Sequence, residues 1–277
     1  SYGTRWDVGG SSVYFATNWL CIHQYSKTVP KLTVGGDLIV SSNGIFSVIS
    51  AATPLYADAT EPARTNLGAL VTVTGRIDLK SVGKIFCRCH PHSGASPVLS
   101  AGALSVDAAS YIDSNDEGYF GGNFNNACPG LNKFSMSPTW PTSKCGAGHG
   151  GAGGWCTESA TAMGQPYDSI EWPVLPGSGG HSNYQSNWGR RGGGVVRVFL
   201  TGDAVVDGIL RADSASSGRF SGNGAGGTVL LSCRALTGTG TFSAAGCAGY
   251  QYTTSSSAHN GGAGGGGRIA VHYDTGS

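Results

Sequence analysis

The chain has 277 residues, a net charge of +1, 47 glycines and only 12% charged side chains, where ordinary chains carry about 7% glycine and about 25% charge. Seventeen basic groups against 16 acidic ones exclude the basic footprint of a nucleic-acid binder, and the lack of a strict three-residue glycine period excludes collagen. The 39% hydrophobic content is enough for a packed core and excludes disorder throughout.

In chain order, residues 1–30 come first. They are aromatic and non-repetitive, with Tyr2, Trp6, Tyr14, Phe15 and Trp19. The stretch from Val13 reads as a strand. Terminal turns of a solenoid need a cap or a partner, so this segment is expected to be a cap or a strand donated to a neighbour. A start at Ser1 rather than Met gives the expectation of a removed leader.

Residues 31–112 read as successive strands with one face inward. The runs are Leu-Thr-Val-Gly-Gly-Asp-Leu-Ile-Val (32–40), Ile-Phe-Ser-Val-Ile (45–49), Leu-Val-Thr-Val-Thr-Gly-Arg-Ile-Asp-Leu (70–79) and Val-Leu-Ser-Ala-Gly-Ala-Leu-Ser-Val (98–106). Asn43 and Gly44 suit a tight corner with positive φ. No amphipathic helix is predicted. No apolar run approaches the roughly 20 residues that a membrane-crossing helix needs.

Residues 120–192 lack clear strands and form a long insertion. It holds Cys128, Cys145 and Cys156, and Trp140, Trp155, Trp172 and Trp188. Long structureless loops are functional or tied down by crosslinks, so disulfides are expected to staple it.

After the insertion a glycine-punctuated strand keeps returning. It reads Gly-Gly-Gly-Val-Val-Arg-Val-Phe-Leu (192–200), Gly-Gly-Thr-Val-Leu-Leu-Ser (226–232) and Gly-Gly-Gly-Gly-Arg-Ile-Ala-Val-His-Tyr (264–273). Repeated short strands with glycine corners mark a solenoid. The fold expectation is all-β: one right-handed parallel β-helix over residues 31–277, with a disulfide-stapled insertion at about 120–192.

Several strings together resemble the glycine-rich β-helix segments of large secreted or surface proteins, mostly bacterial. They are His-Gly-Gly-Ala-Gly-Gly from His149, Tyr-Asp-Ser from Tyr167, Pro-Gly-Ser-Gly-Gly from Pro176, Asp-Gly-Ile-Leu-Arg-Ala-Asp from Asp207, and the closing glycine run with Arg-Ile-Ala-Val. The resemblance spans about residues 98–273. It implies a parallel β-helix in an extracellular setting, and it carries no catalytic residue to transfer. The aromatic N-terminus and the cysteines depart from the usual cysteine-poor pattern, which points to a stand-alone, oxidised subunit.

Eight cysteines, Cys21, Cys87, Cys89, Cys128, Cys145, Cys156, Cys233 and Cys247, read as up to four disulfides of a secreted protein. Cys87, Cys89, His90 and His92 also have the donor chemistry for zinc or copper, against two separate disulfides and a polar corner. Asp113, Asn115 and Glu117 at alternate positions, with Gly118 after them, resemble the opening of a calcium loop. Phe124 stands where the bidentate Glu belongs, and an acidic, solvated turn reads as well. No cofactor other than this calcium is expected.

Polysaccharide-degrading β-helices use clustered carboxylates with Arg or Lys; here Asp203, Asp207 and Asp213 lie near Arg197 and Arg211, and Asp is common at turns in any case. The insertion tryptophans suit a protein interface, a small satellite core or stacking on sugar rings. Low charge tolerates close self-packing, and solenoid ends are strand templates. The functional expectation is therefore a structural, non-enzymatic subunit of an extracellular filament or surface assembly. It would polymerise with itself through the solenoid ends and the N-terminal segment, without inserting in a membrane. The alternatives are a glycan-binding or adhesive module and a polysaccharide-degrading enzyme.

Overall fold

The structure is a computed structural model that describes residues 29–51, 65–122, 144–156, 163–182, 189–214, 221–250 and 260–274, together with the backbone of 5–9 and 12–15. The expected residues Tyr2, Trp19, Cys21, Cys128, Trp140 and Trp188, and the side chains of Trp6, Tyr14 and Phe15, lie outside the described residues.

The chain is all-β, with two large all-parallel sheets, consistent with a β-solenoid. The strands are β1 (Arg5–Gly9), β2 (Ser12–Phe15), β3 (Lys31–Val34), β4 (Asp37–Ser41), β5 (Ile45–Ile49), β6 (Leu67–Leu79), β7 (Lys84–Arg88), β8 (Ser96–Val106) and β9 (Tyr111–Asp113). After the insertion come β10 (Val195–Leu200), β11 (Ala204–Val206), β12 (Ile209–Arg211), β13 (Thr228–Cys233), β14 (Leu236–Thr237), β15 (Thr241–Ser243) and β16 (Arg268–Tyr273). The ten-stranded sheet runs β1-β4-β6-β8-β10-β13-β16, with β3, β11 and β14 joining beside this path. The six-stranded sheet runs β15-β12-β9-β7-β5-β2. Each pass from β1 to β15 thus adds to both sheets, and β16 adds to the larger one. Successive passes lie close in sequence, as with Leu70 beside Val98 and Val195 beside Thr228. The exception is Leu99 beside Val198, where the insertion intervenes.

Strand periodicity sends alternate side chains inward, and parallel register stacks them in columns. One column is Leu32, Val71, Leu99, Val198, Leu231 and Val271. Another, in the smaller sheet, is Phe46, Ile85, Ile112, Leu210 and Phe242. These residues form one core cluster, with Val271 and Phe242 packed against it as partly buried ends, and each fully buried member contributes about 1.5–3 kcal/mol. Corners stack too. Lys84, Tyr111, Ile209 and Thr241 each donate a backbone N–H to the corner residue of the neighbouring pass: Gly44, Gly83, Ser110 and Gly208. Asn43 takes the positive φ (62°) that its corner position predicts.

β1 and β2 pair in parallel with β4 and β5 of the same chain. Within this chain, this part of the N-terminal segment forms the first pass of the stack.

The expected disulfide staple of the insertion is not formed in this structure. Among the described residues there is no disulfide; Cys87, Cys89, Cys145, Cys156, Cys233 and Cys247 are buried thiols. Backbone hydrogen bonds hold the glycine-rich segments instead, and they recur every third residue. Gly189 and Gly192 donate to the carbonyls of Gly122 and Tyr119 (2.8 and 3.1 Å), while Arg190 and Gly193 donate to Gly222 and Ala225 (3.1 and 2.9 Å). The same Arg190 and Gly193 accept from Gly180 and Gly177 (2.8 Å each). One segment therefore bonds three neighbours. Gly261, Gly264 and Gly267 likewise donate to Tyr250, Cys247 and Ala244, and Gly262 and Gly265 donate to Lys144 and Ala147.

A β-ladder has period two. Period three, with bonds radiating to separate neighbours, is the geometry of polyproline-II-type segments packed in a bundle. Glycine is needed because the backbones approach closely. A Cβ on Gly193 would collide with the Ala212 carbonyl oxygen, and one on Gly222 with the Cys145 carbonyl oxygen. The segments ending at Gly194, Gly227 and Gly267 run directly into β10, β13 and β16, so the bundle continues the parallel stack.

Candidate functional site

Among the described residues the hydrophobic columns are covered along the stack and uncovered at β16. Val196 and Val229 are 0% exposed, yet Ile269, next in their column, is 49% exposed. Cys233 is buried and its neighbour Tyr273 is 58% exposed. Leu210 is fully buried, whereas Phe242 beside it is only partly covered. The last strand therefore presents apolar side chains in core positions with no further pass beneath them among the described residues. Its outer edge has no strand partner there either. Such an edge is a template for another strand.

One side of this edge is buttressed by the segment 167–175. Asp168 organises it from a positive φ of 73°. Its Oδ2 accepts N–H bonds from Val174 and Leu175, both at 2.9 Å. Asp168 Oδ2 also lies 3.5 Å from Nε2 of His149, whose Nδ1 contacts the Gly226 carbonyl at 2.8 Å. Arg268 donates from Nε and Nη2 to the Tyr167 carbonyl (3.0 and 2.8 Å). Trp172 stacks on His272 of β16, with ring centroids 3.8 Å apart and planes 6° from parallel, and His272 Nε2 meets the Glu171 carbonyl at 2.8 Å. Ile170, at 82% exposure, projects beside them. Burial pushes the Tyr167 hydroxyl well above its ordinary pKa, in keeping with a phenol that donates to the Pro176 carbonyl (2.5 Å) and accepts from Ser178.

Of the insertion tryptophans expected to touch a partner, Trp172 thus sits at the open end, and Trp155 is 66% exposed on the glycine bundle. The structure does not bring the other groups together as ligand sites. Asp113 accepts two bonds from Arg211 (2.8 and 2.6 Å). Asn115 Oδ1 accepts the Asp213 N–H. Glu117 pairs with Arg88 and Arg191 (3.1 and 3.2 Å). The oxygens of the calcium-loop reading thus have protein partners.

Cys87 and Cys89 share the inward face, as alternation predicts, while His90 and His92 lie 5.8 Å apart at the turn beyond them. Burial raises both thiol pKa values, that of Cys89 to about 12. No group of three or more His, Cys, Asp or Glu side chains among the described residues converges as a metal site. The carboxylate cluster also disperses. Asp203 binds Arg234, Asp207 binds Thr239, and Asp213 binds Ser243 and Ala245. Arg197 is buried away from them, its guanidinium bonded to the carbonyls of Thr65 and Ser96.

Sequence reasoning missed the open core columns, because Ile269 and Tyr273 read as ordinary strand residues until register places them beside Val229 and Cys233. It also missed the glycine bundle, whose signal is the three-residue spacing of Gly261, Gly264 and Gly267. No helix among the described residues is long and apolar enough to cross a membrane. No protein-family profile, no curated protein and no solved structure matches the chain.

Proposed function

We propose that this chain is a structural subunit of an extracellular filament or surface assembly, built as a right-handed parallel β-helix that stacks end to end on further copies of itself. The observation that carries this reading is the open core at β16, where Ile269 and Tyr273 occupy buried columns but face solvent. In the larger sheet, β16 lies at one end and β1 at the other; in the smaller sheet, β15 and β2 do. Joining the β16 end of one copy to the β1 end of the next is a heterologous contact, and such contacts make open filaments when the rotation does not close. Right-handed coiling follows the rule for parallel crossovers. The low charge adds little repulsion between copies. Assembly in this form uses edge contact, with β1 and β2 as the receiving pass rather than as donated strands.

Electron microscopy with light scattering of the purified chain tests this reading. Filaments are expected, and Ile269→Lys with Tyr273→Lys should abolish them while the β-rich circular dichroism persists, because edge lysines block strand pairing. Monomers of the unmodified chain at high concentration would overturn it.

A second reading, a glycan-binding module, is favoured by Trp155. An indole this exposed is a stacking platform for a sugar ring. Glycan-array binding lost in Trp155→Ala would move the weight there.

A further inference from the structure

We propose that Cys145 and Cys156 oxidise to each other, closing an intramolecular disulfide that locks the hairpin 145–156 into the glycine bundle. Their sulfurs already touch at 2.9 Å. The bonding distance of about 2.05 Å is a sulfur displacement of only about 0.9 Å away. The hairpin holds the two cysteines in place. The Gly146 N–H donates to the Gly154 carbonyl at 3.0 Å, and the His149 N–H to the Gly151 carbonyl at 3.1 Å at the tip. Met163 packs against the pair. The two arms of the hairpin are anchored separately, since Gly262 donates to the Lys144 carbonyl and Gly154 donates to the Ala263 carbonyl. A crosslink here would therefore fasten both arms to the segment that feeds β16.

The oxidant is a disulfide-bearing compound of the glutathione or thiol-oxidoreductase class. Two S–H bonds break, one S–S bond forms, and two electrons and two protons reduce the oxidant's disulfide to two thiols. Both cysteines are buried, so the exchange belongs to folding, before the bundle closes over them.

Trypsin offers a clean test, because there is no Lys or Arg between Lys144 and Arg190, and Cys145 and Cys156 are the only cysteines of the peptide 145–190. The full chain is refolded with oxidised and reduced glutathione, alkylated with iodoacetamide and digested without reductant. The expected result is an unalkylated peptide 145–190, lighter by two hydrogens, which takes two carbamidomethyl groups only after dithiothreitol. A doubly alkylated peptide, a stable glutathione adduct or a bridge to another cysteine peptide such as that of Cys128 would overturn the proposal. In urea, the oxidised chain should unfold at a higher midpoint than the reduced chain, and Cys156→Ser should show no such difference. An unchanged midpoint in the bridged chain would overturn the lock.

Discussion

Arg197 donates from Nη1 to the carbonyl of Thr65 at 2.8 Å, joining β10 to a residue 132 positions earlier in the chain. Nη2 reaches the carbonyls of Ser96 (3.1 Å) and Asn66 (3.4 Å). The side chain is 0% exposed, and burial lowers its pKa to about 10, against the opposing effect of Cys89, Asp168 and Cys87. A guanidinium fork can serve several carbonyls at once, whereas an ammonium is a compact point charge. Arg197→Met leaves these carbonyls buried without their donor. Leaving a buried acceptor without its donor costs about 1–3 kcal/mol, and Arg197→Lys should recover only part of that. Urea unfolding followed by circular dichroism measures both. Equal midpoints for wild type and Arg197→Met would show that the guanidinium is not what ties the early strands to β10.

The glycine bundle makes a paired prediction. A Cβ at Gly222 meets the Cys145 carbonyl, while one at Gly266 meets nothing within 4 Å. Gly222→Ala should destabilise by about 1–3 kcal/mol, as overpacking of a close contact does. Gly266→Ala should be neutral or stabilising by about 0.4–1 kcal/mol, through the reduced freedom of the unfolded chain. The pair separates close backbone packing from a general intolerance of alanine, since the two sites differ in space and not in chemistry. Matching midpoints for the two variants would contradict the bundle.

Much of the stack was legible because parallel strands carry their own signal. Alternation in residues 70–79 and 98–106 marks inward positions, and Val71, Ile77 and Leu99 are buried there, whereas Leu104 reaches the core only after a register shift that alternation does not mark. The corner at Asn43 was visible from residue chemistry alone. The insertion was not legible as structure, because its order resides in backbone bonds between segments far apart in sequence. Gly193 and Ala225 show this, since neither residue type announces the other. Cysteine parity pointed to crosslinks, but parity carries no geometry. Only the folded hairpin brings Cys145 to Cys156. The open end was likewise hidden. Whether an isoleucine at 269 is core or surface depends on the pass beyond it, which local sequence does not encode.

His90 makes the stability pH-dependent. Its pKa is lowered from 6.5 to about 4, first by burial and then by His92 and Arg191 nearby. Nδ1 accepts the Ser93 N–H at 3.1 Å, a bond available only to the neutral ring. The unfolded chain takes up a proton near pH 6.5, and the folded chain resists until about pH 4. The contribution of this residue to stability is therefore lost as pH falls through that window. The ring is partly exposed, so solvent screening reduces the size of the effect. Urea midpoints from pH 7 to pH 4 should fall less steeply in His90→Gln than in wild type. Parallel curves would assign the pH dependence to other groups.

Asp168 decides whether Trp172 is held at the open end. Its carboxylate gathers the N–H groups of Val174 and Leu175, and its backbone sits at φ 73°. Asn tolerates this conformation and keeps one acceptor oxygen, whereas Ala has no acceptor and resists positive φ. Asp168→Ala should therefore cost about 1–3 kcal/mol, and Asp168→Asn distinctly less. The segment also positions the stack of Trp172 on His272, so Asp168→Ala should change the tryptophan emission before global unfolding, with the Asn variant close to wild type. Filament growth, if it uses the β16 end, should weaken in the same order. A variant pair that shifts stability equally and leaves the emission unchanged would mean that the loop is held by Arg268 and His272 alone, through their bonds to the Tyr167 and Glu171 carbonyls.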